Sequence, residues 1–107
     1  MVSKEQLEEL QTKHTRIAHV TSADKAEDGS PEWEIVIRKP KGSEYSDFKR
    51  HFFDPAKRHD AYDTLVRRTS VHPVGDALTR LLDEWPAIPE ACIQAIDTLA
   101  GAAGGKR

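Results

Sequence analysis

The chain has 107 residues, with 16 Lys and Arg against 18 Asp and Glu and a formal net charge of −2 at neutral pH. A hydrophobic fraction of 37% beside a charged fraction of 32% suits one domain with a thin core, and no apolar run approaches the ~18 residues of a membrane-spanning helix. The lone cysteine, Cys92, excludes an internal disulfide framework and a cysteine-cluster zinc site.

Ser3, three before Gln6, makes a Ser-x-x-Gln capping box, and Glu5, Glu8 and Glu9 favour the positive end of the helix it opens. Only Leu7 and Leu10 are apolar there, so this helix has a narrow sticky seam. The period changes over Arg16–Thr21, where Ile17, Ala18 and Val20 read as a short strand. Ser22–Pro31 is polar and contains Asp28-Gly29, a turn signal. Glu32–Arg38 is the clearest strand, with Trp33, Ile35 and Ile37 on one face and Glu32, Glu34 and Arg38 on the other. The two strands form a β-hairpin with a long acidic tip.

Lys39-Pro40-Lys41-Gly42 breaks this pattern, and helices follow. Ser43 is the expected N-cap of a helix carrying Tyr45, Phe48 and Phe52 on one face. Asp54-Pro55 reads as an N-cap followed by proline at the first helical position. That helix turns Ala61, Tyr62, Leu65 and Val66 inward, and His72-Pro73-Val74-Gly75 ends it. A further helix over Asp76–Trp85 carries Leu78, Leu81, Leu82 and Trp85. Pro89 starts the last, with Cys92, Ile93, Ile96 and Leu99 inward and Gly101 as its stop. The short Pro86–Pro89 corner predicts that these last two helices pack antiparallel, with Leu81 facing Ile96. The fold class is therefore α+β: an N-terminal helix and β-hairpin followed by a mostly helical C-terminal half. Residues 1–101 form a single domain, and residues 102–107 a flexible tail. An isolated hairpin is not stable in water, so its apolar face needs the aromatic helix or a second copy, which predicts a homo-oligomer.

No arrangement of residues reads as catalytic. Among His14, His19, His51, His59 and His72 no two stand at i, i+3 or i, i+4, so no metal-ligand spacing is present. Asp47–His51 and His59–Asp63 have the spacing of ordinary helix-surface contacts. Cys92 lies on an apolar stripe and reads as an inert core thiol. No glycine-rich phosphate loop occurs. The expectation is a protein that is no enzyme, with no metal and no cofactor.

Two sets of side chains read as candidate binding residues. Trp33, Tyr45, Phe48, Phe52 and Trp85 are candidate partner anchors. Lys49, Arg50, Lys57, Arg58, Arg67 and Arg68 form a candidate basic stripe for phosphates. Charge sums weigh against nucleic acid: residues 1–38 carry five basic and eight acidic side chains, residues 39–72 eight and five, and residues 73–107 three and five. A surplus of three in the middle segment is small beside what phosphate binding recruits.

The order of pieces carries a family resemblance. Lys13-His14-Thr15-Arg16-Ile17 follows the first helix, and the hairpin ends Ile35-Val36-Ile37-Arg38-Lys39-Pro40. An Ala61-to-Val66 helix, Val71-His72-Pro73 and Leu81-Leu82-Asp83-Glu84-Trp85-Pro86 come next, and Ala100-Gly101 closes the chain. Over residues 10–101 this layout resembles the tail assembly chaperones of long-tailed bacteriophages, departing from them at Thr15, where glycine is expected. The resemblance implies a non-catalytic chaperone of virion morphogenesis in the host bacterial cytoplasm, binding the tape-measure protein and tail-tube subunits. It also implies a longer frameshifted product, with Gly105-Lys106 at the slippery step. The alternative function is a small regulatory or nucleic-acid-binding module using the basic stripe of residues 49–68.

Overall fold

The computed structural model describes residues 2–14 and 16–101; Thr15, the tail of residues 102–107 and the Gly105-Lys106 step lie outside the described residues. The elements run α1 (Lys4–Lys13), β1 (Ile17–Thr21), β2 (Glu34–Arg38), α2 (Gly42–Phe52), α3 (Arg58–Thr69), β3 (Ser70–His72), α4 (Gly75–Glu84) and α5 (Ile88–Leu99). This is the expected α+β class. Among the described residues no helix is long and apolar enough to cross a membrane.

Helix α1 starts where its capping box places it. The Ser3 hydroxyl accepts the Gln6 N–H at 3.1 Å, and the Gln6 side chain accepts the Ser3 N–H at 2.8 Å. Strands β1 and β2 form the expected antiparallel hairpin, with Ala18 opposite Ile37 and Val20 opposite Ile35. Its turn uses Gly29 at φ +86°, a conformation open to glycine. The Asp28 carboxylate secures that turn by accepting the Ser30 N–H at 2.9 Å.

The hairpin does not stand alone. Residues Ser70, Val71 and His72, read in the sequence as the end of a helix, form a third antiparallel strand on the far side of β2. Strand β2 is thus central, and Ile35, Val36 and Ile37 are all fully buried. The expectation of one apolar and one solvated face is corrected here: a central strand covered on both sides buries its alternate residues too. Ile35 and Ile37 join the main core, made with Phe48, Leu65, Leu82, Ile88, Cys92 and Ile96. Val36 points to the opposite face, the face of Glu34, whose carboxylate accepts the Val2 N–H.

Three helix boundaries and one packing expectation also shift. Helix α2 begins at Gly42 after Lys41, not at a Ser43 cap, because the Glu44 carboxylate reaches back to the Lys41 N–H at 2.8 Å. Asp54 caps a turn rather than the helix, accepting the Ala56 N–H at 3.0 Å, and α3 begins only at Arg58. Helix α3 stops at Thr69, whose buried hydroxyl donates to the Leu65 carbonyl at 2.8 Å. Helix α5 packs chiefly on β1, α3 and β2 rather than antiparallel on α4. Its buried positions Ile88, Cys92, Ile96 and Leu99 need the sheet as their cover. Ile96 is fully buried, whereas Leu81 only flanks the core.

The two-sided burial of β2 is testable at Val36. Val36→Ala removes two methyl groups from a closed site and is expected to cost more than about 1 kcal/mol in denaturant unfolding. A loss under about 0.5 kcal/mol, the scale of surface substitutions, would return Val36 to a solvated face.

Candidate partner-binding surface

Helix α2 and the start of α3 carry a continuous aromatic ledge. Phe48 lies 6.2 Å from Tyr45, 5.4 Å from Phe52 and 5.8 Å from Tyr62 between ring centroids, and Phe52 lies 5.8 Å from Tyr62. The spacing Tyr45, Phe48, Phe52 puts these rings on one helical face, and Tyr62 meets them from α3. Phe53, just past the end of α2, extends the ledge by an edge-to-face contact with Phe52 at 5.3 Å. Its surface is 73% exposed, whereas Phe48 at the inner end is buried.

Cations line this ledge. The Lys49 ammonium lies 5.3 Å from the Tyr45 centroid and 5.4 Å from that of Phe52, and the Arg58 guanidinium lies 5.1 Å from Phe52. Each sits within cation–π range. Arg58 is also fixed by donating Nε–H to the Phe52 carbonyl at 2.8 Å. The Tyr45 hydroxyl donates to Asp97 at 2.7 Å. Burial and the neighbouring Asp97 carboxylate push its pKa up to about 12, so this bond persists across the physiological range.

The five candidate anchors part company. Phe48 belongs to the core, Tyr45 and Phe52 sit on the ledge, and Trp33 and Trp85 are half-buried against the core. Among the described residues no ring contact joins either tryptophan to the ledge. The sequence reading passed over Phe53 and Tyr62 as anchors. Phe53 breaks the i, i+3, i+7 series and so carried no periodic signal.

The candidate basic stripe is divided among three places. Lys49 and Arg58 lie on the ledge. Arg50, Lys57 and Arg68 line a cleft of about 430 Å³ between α2 and α3, floored by Phe48 and Leu65. There Arg50 and Arg68 both reach Asp47, at 3.1 and 3.3 Å. Arg67 pairs with Asp63 at 2.7 Å and points toward Thr79 of α4. Most of these charges are thus answered locally by carboxylates or rings.

The histidines also separate. His51 Nδ1–H donates to the Asp47 carbonyl at 3.0 Å rather than to its carboxylate, and Asp63 holds Arg67 instead of His59. His19 Nε2 meets Glu34 Oε2 at 2.8 Å across β1 and β2, a pair hidden by its separation of 15 residues. Glu34 also accepts the Val2 N–H. Burial pushes the Glu34 carboxyl up, but the bonds from His19 and Val2 together outweigh it and hold its pKa below the usual 4.5. Cys92 is fully buried, and burial raises its thiol to about 12, so it carries no thiolate at neutral pH. Among the described residues no group of three or more His, Cys, Asp and Glu is placed to hold a metal ion.

A solved structure of an uncharacterised protein, rbstp2171, from Bacillus stearothermophilus is similar to this chain. The TM-score is 0.70 at 19% identity, over 94% of this chain and 97% of that one. At this identity the likeness is one of fold. No protein-family model and no curated protein matches the chain.

The ledge is held in place at its N-terminal end by Arg38 of β2. Its guanidinium forms two bonds of 2.9 Å to Glu44 and one of 2.7 Å to the Arg68 carbonyl, tying β2, α2 and α3 together. The Arg38 bond, with the Lys41 N–H, lowers the Glu44 pKa below 4.5. A carboxylate depressed on folding stabilises fully above its unfolded pKa and loses that effect as pH falls through its folded pKa. Glu44→Gln is therefore expected to cost about 1–3 kcal/mol at neutral pH. That cost should shrink below about pH 4, as thermal melts of both proteins would show. A cost unchanged from neutral to acid pH would contradict the role given to the ionised pair.

Proposed function

We propose that this chain is a non-catalytic protein-binding module of the tail assembly chaperone kind, which docks an apolar helical segment of a tape-measure protein on the Phe52–Phe53–Tyr62 ledge. The observation that carries the binding reading is Phe53, an aromatic ring 73% exposed at the end of a packed ring cluster. A large apolar side chain left open beside half-buried rings is the arrangement of an interface anchor. Lys49 and Arg58 at the ledge would form its polar rim and favour acidic residues flanking the partner's apolar stripe. An amphipathic helix laid on such a ledge would bring one stripe of side chains to the rings.

The identity of the partner rests on the sequence resemblance to tail assembly chaperones. On that reading the protein acts in the host bacterial cytoplasm, keeps the tape-measure protein soluble and meets tail-tube subunits. The rival reading, a nucleic-acid module, draws less support, because Arg50 and Arg68 share Asp47 and Arg67 is held by Asp63. A binder of phosphate backbones keeps its cations free to release counterions.

Co-expression with a tape-measure fragment tests the proposal. The intact protein is expected to hold the fragment in the soluble fraction, and Phe53→Ala to lose at least half of it. Because Phe53 is exposed, the same substitution should change unfolding free energy by no more than about 0.5 kcal/mol. Phe48→Ala, in the core, should cost about 3–5 kcal/mol. A fragment equally insoluble with and without the protein would end the chaperone reading. Retention unchanged by Phe53→Ala would move the docking surface elsewhere.

A further inference from the structure

Strand β1 is one edge of the sheet, and among the described residues no strand pairs with its outer side. In an antiparallel ladder the bonding residues alternate. Here the Lys39 N–H donates to the Arg16 carbonyl at 3.0 Å and the Ser22 N–H to the Trp33 carbonyl at 3.1 Å. The residues in phase with these, Ala18 and Val20, therefore direct their N–H and C=O groups to β2. Ile17, His19 and Thr21 direct theirs outward, and among the described residues none of these six groups has a partner. His19 is exposed as a residue although only 30% of its side chain is open, so its main chain carries much of the open surface.

This edge lacks the usual protections. Strand β1 contains no lysine and no proline, and its ladder is regular, the one register shift lying between β2 and β3. Lysine, proline and bulges are how natural edges discourage further pairing. The other edge, β3, is three residues long and runs directly into Pro73. Beneath β1 the core is also incomplete. Ala18 and Val20 remain half-buried, while Ile37 and Ile35 opposite them are fully closed.

We propose that β1 pairs antiparallel with β1 of a second copy of this chain, about a two-fold axis at His19, giving a continuous six-stranded sheet. In that register Ile17 lies opposite the partner's Thr21, His19 opposite the partner's His19, and Thr21 opposite the partner's Ile17. All three pairs are of the bonding kind, so six hydrogen bonds use every open group on both copies. Charge selects this partner and direction. The flank before β1 carries Lys13 and Arg16, and the stretch after it, residues 22–31, carries Asp24, Glu27 and Asp28 against Lys25. Antiparallel self-pairing brings the basic flank of each copy toward the acidic flank of the other, whereas parallel addition would set like charges side by side. The pairing is isologous, as two-fold dimers require. It is independent of the ledge and of any partner docked there.

Sedimentation across a concentration series, at low and high salt, tests this with the full chain. The wild type is expected to dimerise, more weakly as salt rises. Thr21→Pro removes one outward N–H and leaves the β1–β2 ladder intact, since prolines are tolerated on the open side of an edge. It should raise the dimer Kd about tenfold or more with an unchanged circular dichroism spectrum. Should that variant fail to fold, His19→Cys decides. Directly opposed bonding residues stand ~5.5 Å apart at Cα, within disulfide reach, so mild oxidation should give a covalent dimer. Ala18→Cys, on the core-facing side, should not, and the buried Cys92 does not compete. A wild type that stays monomeric to about millimolar concentration would overturn the proposal. So would a dimer in which His19→Cys fails to cross-link, or a β1 edge taken up only by a strand of a different protein.

Discussion

Burial of β2 on both faces is the constraint from which most of this structure follows. Three consecutive residues, Ile35, Val36 and Ile37, are closed to solvent, and an extended strand sends consecutive side chains to opposite sides. One side is filled by the main core of α2, α3, α4 and α5. The other takes Val36 and Glu34, and there the segment before α1 is tied to β2 by the Val2 N–H. Backbone groups buried with such a strand must also be bonded. Both edges of β2 are therefore occupied, by β1 on one side and by the short β3 on the other.

The same constraint decides the fate of the polar residues at the ends of β2. Glu34 and Arg38 leave the strand half-buried, and an unpaired charge there would be costly. Glu34 is answered by His19 and the Val2 N–H, and Arg38 by Glu44 and the Arg68 carbonyl. These bonds carry the position of the sheet outward to α1 on one side and to the α2–α3 pair on the other. The aromatic ledge is thus fixed to the most buried part of the molecule by a few short bonds. Among the described residues the outer side of β1 receives no such bonds, which leaves two unlike surfaces: a ring-lined ledge and an open strand edge.

The sequence disclosed those features whose signal is local. The Ser3–Gln6 capping box, the Asp28-Gly29 turn, Pro89 in the first turn of α5 and the Gly101 stop (φ +99°) each depend on neighbours within a few residues, and each stands where it was read. What escaped depends on distant residues. Ser70-Val71-His72 is too short to show a period and becomes a strand only because β2 offers it an edge. Glu34 and Val36 alternate like a solvated face, and only the cover above them reverses that reading. Ser43 and Asp54 are good capping residues, yet Glu44 bound to Lys41 starts α2 two residues earlier, and Asp54 is spent on a turn. Of the candidate anchors, Tyr45 and Phe52 reach the ledge. Phe53 was invisible because exposure is a property of the folded surface, and the basic residues looked continuous only while their carboxylate and ring partners were unknown.

Amide hydrogen exchange, read residue by residue on a dilute sample, tests the central position of β2 most directly. The account predicts that the Ile35, Val36 and Ile37 amides exchange slowest, since opening them requires loss of the whole core. Along β1 it predicts alternation, with Ala18 and Val20 protected and Ile17, His19 and Thr21 exchanging fast. A Val36 amide exchanging as quickly as that of Thr21 would mean that β3 does not close the far side of β2, and the account of this fold would fail with it.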